Sequence, residues 1–173
     1  MNVFIGCSSK EDIDNSYFIK SKYIINYLSD NNDLVYGGFN EGLMGLSYDI
    51  FKKKNRCITG IVNDIYKEDL DKIDCNNKIV TNSTLDRTKK IIEMSDVFIF
   101  LPGGVGTYME LFSVLEEIRN YNFDKKIIIC NINNYYSWVL SMLEDSVKNR
   151  FTSIDIFKYI NVINKEEEIK NLI

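Results

Sequence analysis

The sequence predicts an α/β protein, a single Rossmann-like domain with three α/β/α layers and a mostly parallel sheet. Two observations predict this fold. Short runs of β-branched and aromatic residues, such as residues 96–101, alternate along the chain with longer segments of helical spacing. Two such runs, ending at Tyr36 and Leu101, lead directly into glycine-rich turns and then into helical segments. These turns are expected to meet at the carboxyl edge of the sheet, where α/β proteins bind ligands.

In the first half of the chain, strands and helices are predicted to alternate. Apolar runs predict three strands, at residues 3–6, 34–36 and 57–62. A helix is predicted over residues 13–28, and its apolar stripe comprises Tyr17, Lys20 or Ser21, Ile24 and Leu28. A second helix is predicted over residues 42–54. Residues 63–77 are polar and predict a long irregular connection, either a loop over a binding site or, more commonly, a mobile surface loop.

The second half of the chain continues the alternation. Ser83 begins a helix, because S-x-x-D is a typical helix start, and four of its residues are expected to face the sheet: Leu85, Thr88, Ile92 and Ser95. After the central turn, helical spacing is shown by Leu111, Leu115 and Ile118. Further strands are predicted at residues 78–81, 96–101, 126–130 and 159–163. The last helices are predicted at residues 135–148, around Trp138, Leu140 and Leu143, and at residues 165–172.

Length and composition limit the function classes. The 173 residues are expected to form one domain, residues 1–173, of a size that buries about 70% of the unfolded surface. A formal net charge of −4 argues against general nucleic-acid binding. No stretch reaches the ~18 apolar residues of a membrane span, and the chain begins on a strand pattern rather than a signal peptide. We therefore expect a cytoplasmic protein that binds neither nucleic acid nor a membrane.

Histidine is absent, and the four cysteines form no C-x-x-C pair. The missing histidine excludes Ser-His-Asp and Cys-His nucleophile systems. The cysteine spacing argues against a zinc site and predicts reduced, mostly buried thiols. No metal is expected.

The glycine-rich turn at residues 101–110 predicts an anion site. Gly103, Gly104 and Gly106 let the backbone approach a ligand, and the first N–H groups of the following helix then point at it. The turn is not a Walker loop, because no Gly-Lys-Ser/Thr follows, and Met109 takes the place of the third glycine of a dinucleotide fingerprint. A purely structural tight turn is the alternative.

Three polar residues near this turn each allow two interpretations. Thr107 and Glu110 have the T-x-x-E spacing of a helix capping box, which spacing alone favours. Arg87 lies on the helix before the central strand, where an arginine usually makes a solvated ion pair of little energetic value. Its other interpretation is a bidentate contact with an anion held at the glycine turn.

Three motifs follow one another in the order of a known family. Residues 102–110 read P-G-G-V-G-T-Y-M-E and fit P-G-G-x-G-T-x-x-E. Residues 35–45 resemble V-Y-G-G-G-x-x-G-L-M-G, and residues 3–8 resemble V-F-C-G-S-S. With Arg87 at the family's arginine position, the chain resembles the LONELY GUY (LOG) family, phosphoribohydrolases long mislabelled lysine decarboxylases.

The resemblance implies roles for particular residues. Arg87 and Glu110 would be the catalytic pair. The 5′-phosphate and the rest of the substrate would be bound by Gly103, Gly104, Val105, Gly106, Thr107, Gly37, Gly38, Gly6 and Ser8. It also implies a homodimer that hydrolyses a nucleoside 5′-monophosphate, of cytokinin or purine type such as AMP, to free base and ribose 5-phosphate. No cofactor is implied, and no lysine here has a context suited to pyridoxal phosphate.

The implied chemistry needs a carboxylate near the sugar. Cleavage of an N-glycosidic bond builds positive charge on the ribose, which a fixed carboxylate stabilises. The helix dipole is expected to favour ionised Glu110, as electrostatic stabilisation or base catalysis requires. Two other functions stay open: a non-catalytic nucleotide-binding or sensor protein on the same fold, and a different nucleotide-processing enzyme such as a deoxyribosyl transferase.

The sequence departs from the family pattern at several positions. The histidine and the lysine that flank the family's arginine are missing, and Lys89 or Lys90 is expected to replace part of the lost charge. Phe39 stands at the third glycine of the earlier turn, and Met109 stands where many members carry a further glutamate. These departures affect substrate choice more than fold.

Overall fold

The computed structural model describes residues 1–121 and 124–173 and contains a seven-stranded sheet. The strands are β1 (Asn2–Gly6), β2 (Asp33–Tyr36), β3 (Ile58–Asn63), β4 (Asn77–Thr81), β5 (Val97–Phe100), β6 (Lys126–Cys130) and β7 (Ile160–Ile163). Their order in the sheet is β4-β3-β2-β1-β5-β6-β7, and each neighbouring pair is parallel. The predicted α/β class with a parallel sheet is confirmed.

The α-helices connect these strands and cover both faces of the sheet. They are α1 (Asn15–Leu28), α2 (Gly42–Lys53), α3 (Lys67–Asp71), α4 (Thr84–Met94), α5 (Val105–Tyr121) and α6 (Ser137–Lys148). Apolar residues of α1 and α2 pack in one core cluster, and those of α4, α5 and α6 pack in another. In the described part of the chain, no helix has both the length and the apolar character to cross a bilayer.

The central strands are buried on both sides, which explains their continuous apolar runs. Successive side chains of a strand alternate between the faces, so Val3 and Ile5 join the α1–α2 cluster while Phe4 joins the opposite one. Phe98 and Phe100 pack beside Phe4 on that second face, with ring centroids 6.2 and 6.0 Å from its own. The aligned registers of β1, β2 and β5 bring their carboxyl ends to one edge of the sheet.

Two predicted segments differ from the structure. The segment 63–77 is not irregular: a 3₁₀ turn (Asp64–Tyr66) and α3 occupy it, and fully buried Leu70 fixes α3 to the sheet. The charged terminal helix is a 3₁₀ helix (Glu166–Asn171), whose one buried residue, Ile169, joins the α1–α2 cluster. Single apolar anchors among charged residues are a weak periodic signal, which explains both differences.

One residue expected to face the sheet is exposed, and so is one residue of the pattern that predicts the helix at residues 135–148. Thr88 and Ile92 of α4 and Ser95, which follows it, are buried as predicted. Leu85 is 75% exposed, because it lies in the first turn of α4 and lines the groove between α4 and α5. Trp138 is 54% exposed because its ring packs on Tyr108 rather than on the sheet.

Candidate active site

The carboxyl ends of β1, β2, β3 and β5 surround a cleft of about 270 Å³. Loops from all four strands and the first turns of α4 and α5 contribute to its walls. The described residues that line it are Cys7, Ser8, Ser9, Lys10, Phe39, Met44, Val62, Asn63, Tyr66, Arg87, Gly104, Gly106, Thr107 and Glu110. The cleft therefore lies at the sheet edge where the sequence predicts ligand binding.

The first turn of α5 forms one wall of the cleft. The helix begins at Val105, and the first N–H group to bond back along it is that of Tyr108, which donates to the Gly104 carbonyl at 3.1 Å. The preceding N–H groups have no partner within the helix and carry its positive dipole end. A Cβ atom added to Gly104 or Gly106 would have no atom within 4 Å, so both glycines leave open space at this wall. The wall is suited to an anion such as phosphate.

Hydrogen bonds from other segments hold the glycine turn in place. The hydroxyl of Tyr135 donates to the Gly103 carbonyl at 2.6 Å, and that of Tyr136 donates to the Leu101 carbonyl at 2.7 Å. On the other side, the N–H of Ser8 donates to the Pro102 carbonyl at 3.1 Å. Burial, and to a smaller extent Tyr108, raise the pKa of Tyr135 to about 12, so the phenol stays a donor at neutral pH. The turn is thus fixed before any ligand binds.

Arg87 and Glu110 form a buried ion pair in the cleft. Arg87 Nη1 donates to Glu110 Oε1 at 2.7 Å, and the two side chains are 13% and 8% exposed. Arg87 Nε also donates to the Ile61 carbonyl of β3 at 2.9 Å. A Cβ atom at Gly37 would lie 2.9 Å from Arg87 Nη2, so the glycine gives the guanidinium its space. The pair spans from α4 to α5 across the carboxyl edge of the sheet.

The capping-box interpretation of Thr107 and Glu110 is wrong, because α5 starts two residues before Thr107. Thr107 is therefore inside the helix, and Glu110 bonds to Arg87 instead of the helix start. The surface-pair interpretation of Arg87 is also wrong, because the pair is buried.

The ionisation of Glu110 depends mainly on burial and on Arg87. Burial raises the pKa of Glu110 above its usual value, and the Arg87 guanidinium opposes this shift. Glu110 is in the second turn of α5, where the helix dipole is weak. The expectation that the dipole favours the ionised form is corrected: the favouring charge is Arg87. A carboxylate with a raised pKa beside a fixed cation suits proton transfer near neutral pH.

The other predicted binding residues divide into those in the cleft and those behind it. Ser8, Gly104, Gly106 and Thr107 line the cleft, and Val105, the first residue of α5, is 86% exposed. The other four glycines lie behind the cleft, where neighbouring atoms leave no room for a Cβ atom: Gly6, Gly37, Gly38 and Gly103. Gly38 has φ +75°, and a Cβ atom there would lie 2.5 Å from Val62 Cγ1.

Several lining residues were not predicted as site residues. Asn63 and Tyr66 line the cleft and belong to the segment 63–77, for which a loop over a binding site was one of two predictions. Their place in this segment was the only sequence feature that pointed to the site. Lys10 lines the cleft, whereas Lys89 lines the α4–α5 groove and Lys90 pairs with Glu93. The expected replacement of charge by Lys89 or Lys90 is therefore wrong, and Lys10 is the second cation of the described cleft lining.

Cys7 lines the cleft but is not suited to be a nucleophile. Its thiol is buried, and burial, followed by the charge of Glu110, raises the pKa well above the usual value. The thiol is therefore protonated at neutral pH and unreactive. The charged side chains of the described cleft lining are those of Glu110, Arg87 and Lys10.

Comparison with known proteins identifies the family. The family described as "Possible lysine decarboxylase" matches residues 44–173. The Arabidopsis thaliana cytokinin riboside 5'-monophosphate phosphoribohydrolase LOG3 is 31% identical over 153 residues, which cover 87% of this chain and 71% of that protein. The chain belongs to the LOG family. The A. thaliana LOG1 enzyme of the same name is also 31% identical, over 73% of this chain and 60% of its own length.

A solved structure with much lower sequence identity shares the fold of this LOG-family chain. The molybdenum cofactor binding protein from Rippkaea orientalis has a TM-score of 0.69 and covers 99% of this chain and 93% of its own. Its sequence is 17% identical. This similarity supports the Rossmann-like architecture alone.

Proposed function

We propose that this chain hydrolyses the N-glycosidic bond of a nucleoside 5′-monophosphate, yielding a free base and ribose 5-phosphate. The observation that carries the proposal is the buried Arg87–Glu110 pair, which opens into the same cleft as the first turn of α5. The names of the LOG relatives support the reaction, and AMP-like purine or cytokinin-type nucleotides are the proposed substrates.

The 5′-phosphate is proposed to bind at the free N–H groups of the first turn of α5, near Gly104 and Gly106. Because Arg87 is already paired with Glu110, Lys10 is the remaining cation for the phosphate charge within the described lining. This arrangement directs the sugar toward Glu110, one helical turn further along α5.

Glu110 is proposed to act on the sugar carbon that carries the base. As the C1′–N bond breaks, its electron pair goes to the base nitrogen, and the ribose becomes positively charged. Ionised Glu110 stabilises this charge and accepts a proton from the water that forms the new C1′–O bond. The base nitrogen takes up a proton from solvent. Arg87 favours the ionised form of Glu110 against the effect of burial and holds the carboxylate in position.

The proposal is tested by incubating the protein with a panel of ribonucleoside and deoxyribonucleoside 5′-monophosphates and measuring released base by chromatography. Release from ribonucleotides supports it. A folded protein that releases no base from any of them contradicts it. Nucleotide binding without release would indicate the non-catalytic binding protein, and a preference for deoxyribonucleotides would indicate a deoxyribosyl transferase.

We also propose that the chain forms a homodimer, as its LOG-family membership implies. Light scattering of the purified protein measures the mass directly. A monomer at assay concentrations would contradict this part of the proposal.

The two kinds of glycine in the turn provide a matched pair of variants. Gly106→Ala is expected to keep the stability of the parent, because its added Cβ has no atom within 4 Å, but to raise KM, because the methyl group occupies the phosphate wall. Gly103→Ala is expected to lower the free energy of unfolding by about 1–3 kcal/mol, because its Cβ overlaps Thr107 Oγ1. Thermal melts and steady-state kinetics measure both effects. An unchanged KM for Gly106→Ala would argue against phosphate at this wall.

A further inference from the structure

The cleft has two ends of different chemistry. The turn between β5 and α5, with Gly104 and Gly106, forms one end, and the segments after β2 and β3 form the other, because β1 lies between β5 and β2. Neighbouring strands are about 4.8 Å apart, so β2 and β3 lie roughly 10 and 14 Å from β5. Arg87 bonds to both β3 and α5 and so lies between the ends. A ligand with its phosphate at α5 and its sugar at Glu110 extends toward β2 and β3.

Two aromatic rings line the end near β2 and β3. Phe39 follows β2, and Tyr66 ends the 3₁₀ turn after β3. Their ring centroids are 4.9 Å apart with an interplanar angle of 74°, an edge-to-face contact. Tyr66 is 40% exposed, so the pair presents aromatic surface to the cleft rather than filling the core.

The rest of this end is neutral. The described residues that line it are Phe39, Met44, Val62, Asn63 and Tyr66, and none of them is charged. The cations of the described lining lie between the two ends: Arg87 bonds to Glu110 and to the Ile61 carbonyl of β3, and Lys10 follows β1, which lies between β5 and β2. This distribution matches a ligand that is anionic at one end and planar and uncharged at the other.

We infer that Phe39 and Tyr66 form an aromatic subsite against which the base of the nucleotide stacks. The inference rests on the proposed function, because it assumes that the phosphate binds at α5. Phe39 stands where the family pattern carries glycine, which cannot provide a ring, so the subsite is a property of this chain's own sequence. Stacking of a base on an aromatic side chain is worth about 1–3 kcal/mol and tolerates different bases. The subsite therefore selects for a planar base of either purine or pyrimidine type, more than for one particular base.

The test compares a ligand that has a base with one that lacks it. AMP and ribose 5-phosphate are titrated calorimetrically into Glu110→Gln protein, in which hydrolysis is blocked, with Tyr66 unchanged, replaced by Ala or replaced by Phe. AMP is expected to bind about 5- to 150-fold more tightly than ribose 5-phosphate when Tyr66 is present. Tyr66→Ala is expected to remove most of this difference by weakening AMP alone. Tyr66→Phe keeps the aromatic ring and is expected to preserve the difference in affinity between AMP and ribose 5-phosphate.

A second variant separates stacking from loop support. Phe39→Leu keeps apolar volume without the aromatic face and is expected to weaken AMP and leave ribose 5-phosphate unchanged. If either Tyr66→Ala or Phe39→Leu weakens both ligands equally, or changes neither, the subsite is wrong. Failure of the proposed function has a different signature, since the parent protein would then release no base although the binding difference persists.

Discussion

Glu110→Gln is expected to reduce kcat for nucleoside monophosphate hydrolysis by about 10²–10⁴-fold, the usual contribution of a general acid or base. The substitution keeps the shape of the side chain, and the amide oxygen still accepts the hydrogen bond that Arg87 Nη1 donates at 2.7 Å. It removes the negative charge that is proposed to stabilise the ribose cation and to accept the proton of water. KM is expected to change little, because the substitution leaves the first turn of α5 and the Phe39–Tyr66 pair unchanged.

The measurement is steady-state kinetics with a thermal melt of the same preparation. Glu116→Gln is the matched control, because Glu116 lies on the same helix but is 56% exposed and pairs with Arg119. The control is expected to keep the parent kcat. A Glu110→Gln protein with parental kcat would rule out Glu110 as the catalytic carboxylate, whatever its stability.

Arg87→Gln is expected to lower the free energy of unfolding at neutral pH by about 3–5 kcal/mol, because it leaves a buried carboxylate without its cation. Glu110 is 8% exposed and cannot regain its hydration without local opening. The hydrogen bond from Arg87 Nε to the Ile61 carbonyl is lost as well. The same substitution removes the main influence that lowers the pKa of Glu110, so that pKa rises further.

The pH dependence of Arg87→Gln follows from this shift. In the proposed mechanism ionised Glu110 is the active form, so activity is expected to fall as pH drops through its pKa, and the acid limb of the profile is expected to move to higher pH in the variant. A carboxyl group whose pKa is higher in the folded than in the unfolded state costs stability when ionised. The stability loss is therefore largest above the folded pKa and shrinks as pH falls through it.

A double-mutant cycle isolates the pair. In Arg87→Gln with Glu110→Gln, no charge is left to bury, so the double variant is expected to be more stable than Arg87→Gln alone. Denaturant unfolding of the four proteins at neutral pH measures the coupling. Additive losses of stability would show that the two charges do not stabilise each other. If the acid limb of the pH–activity profile does not move in Arg87→Gln, Arg87 does not control the ionisation of Glu110.

The sequence was sufficient for the elements whose apolar residues form continuous runs. The runs that became β1, β5 and β6 are apolar on both faces, and such runs are distinctive in any parallel sheet. It was insufficient where one side chain decides the structure. Leu70 alone anchors α3 within a charged segment, and the exposure of Leu85 depends on where the first turn of α4 lies relative to α5.

The same distinction applies to the site. The glycine turn is a local motif, so its place at the sheet edge could be predicted from residues 101–110. The burial of the Arg87–Glu110 pair depends on the packing of α4 beside α5, which brings together two residues 23 positions apart in the chain. The T-x-x-E spacing alone favoured a helix cap instead. The Phe39–Tyr66 contact joins two different loops and has no sequence period at all.

The tyrosines that bond to the glycine turn also affect which fragments of the chain can form this turn, and when it forms during synthesis. Tyr135 and Tyr136 reach carbonyl groups 32 and 35 residues earlier in the chain, so the turn takes its shape from a segment beyond β6. A fragment that ends before β6 contains the whole glycine motif but neither phenol that fixes it. We expect the glycine turn to take its final shape only after that late segment has docked, so the proposed ligand binding would report completed folding rather than the presence of the motif.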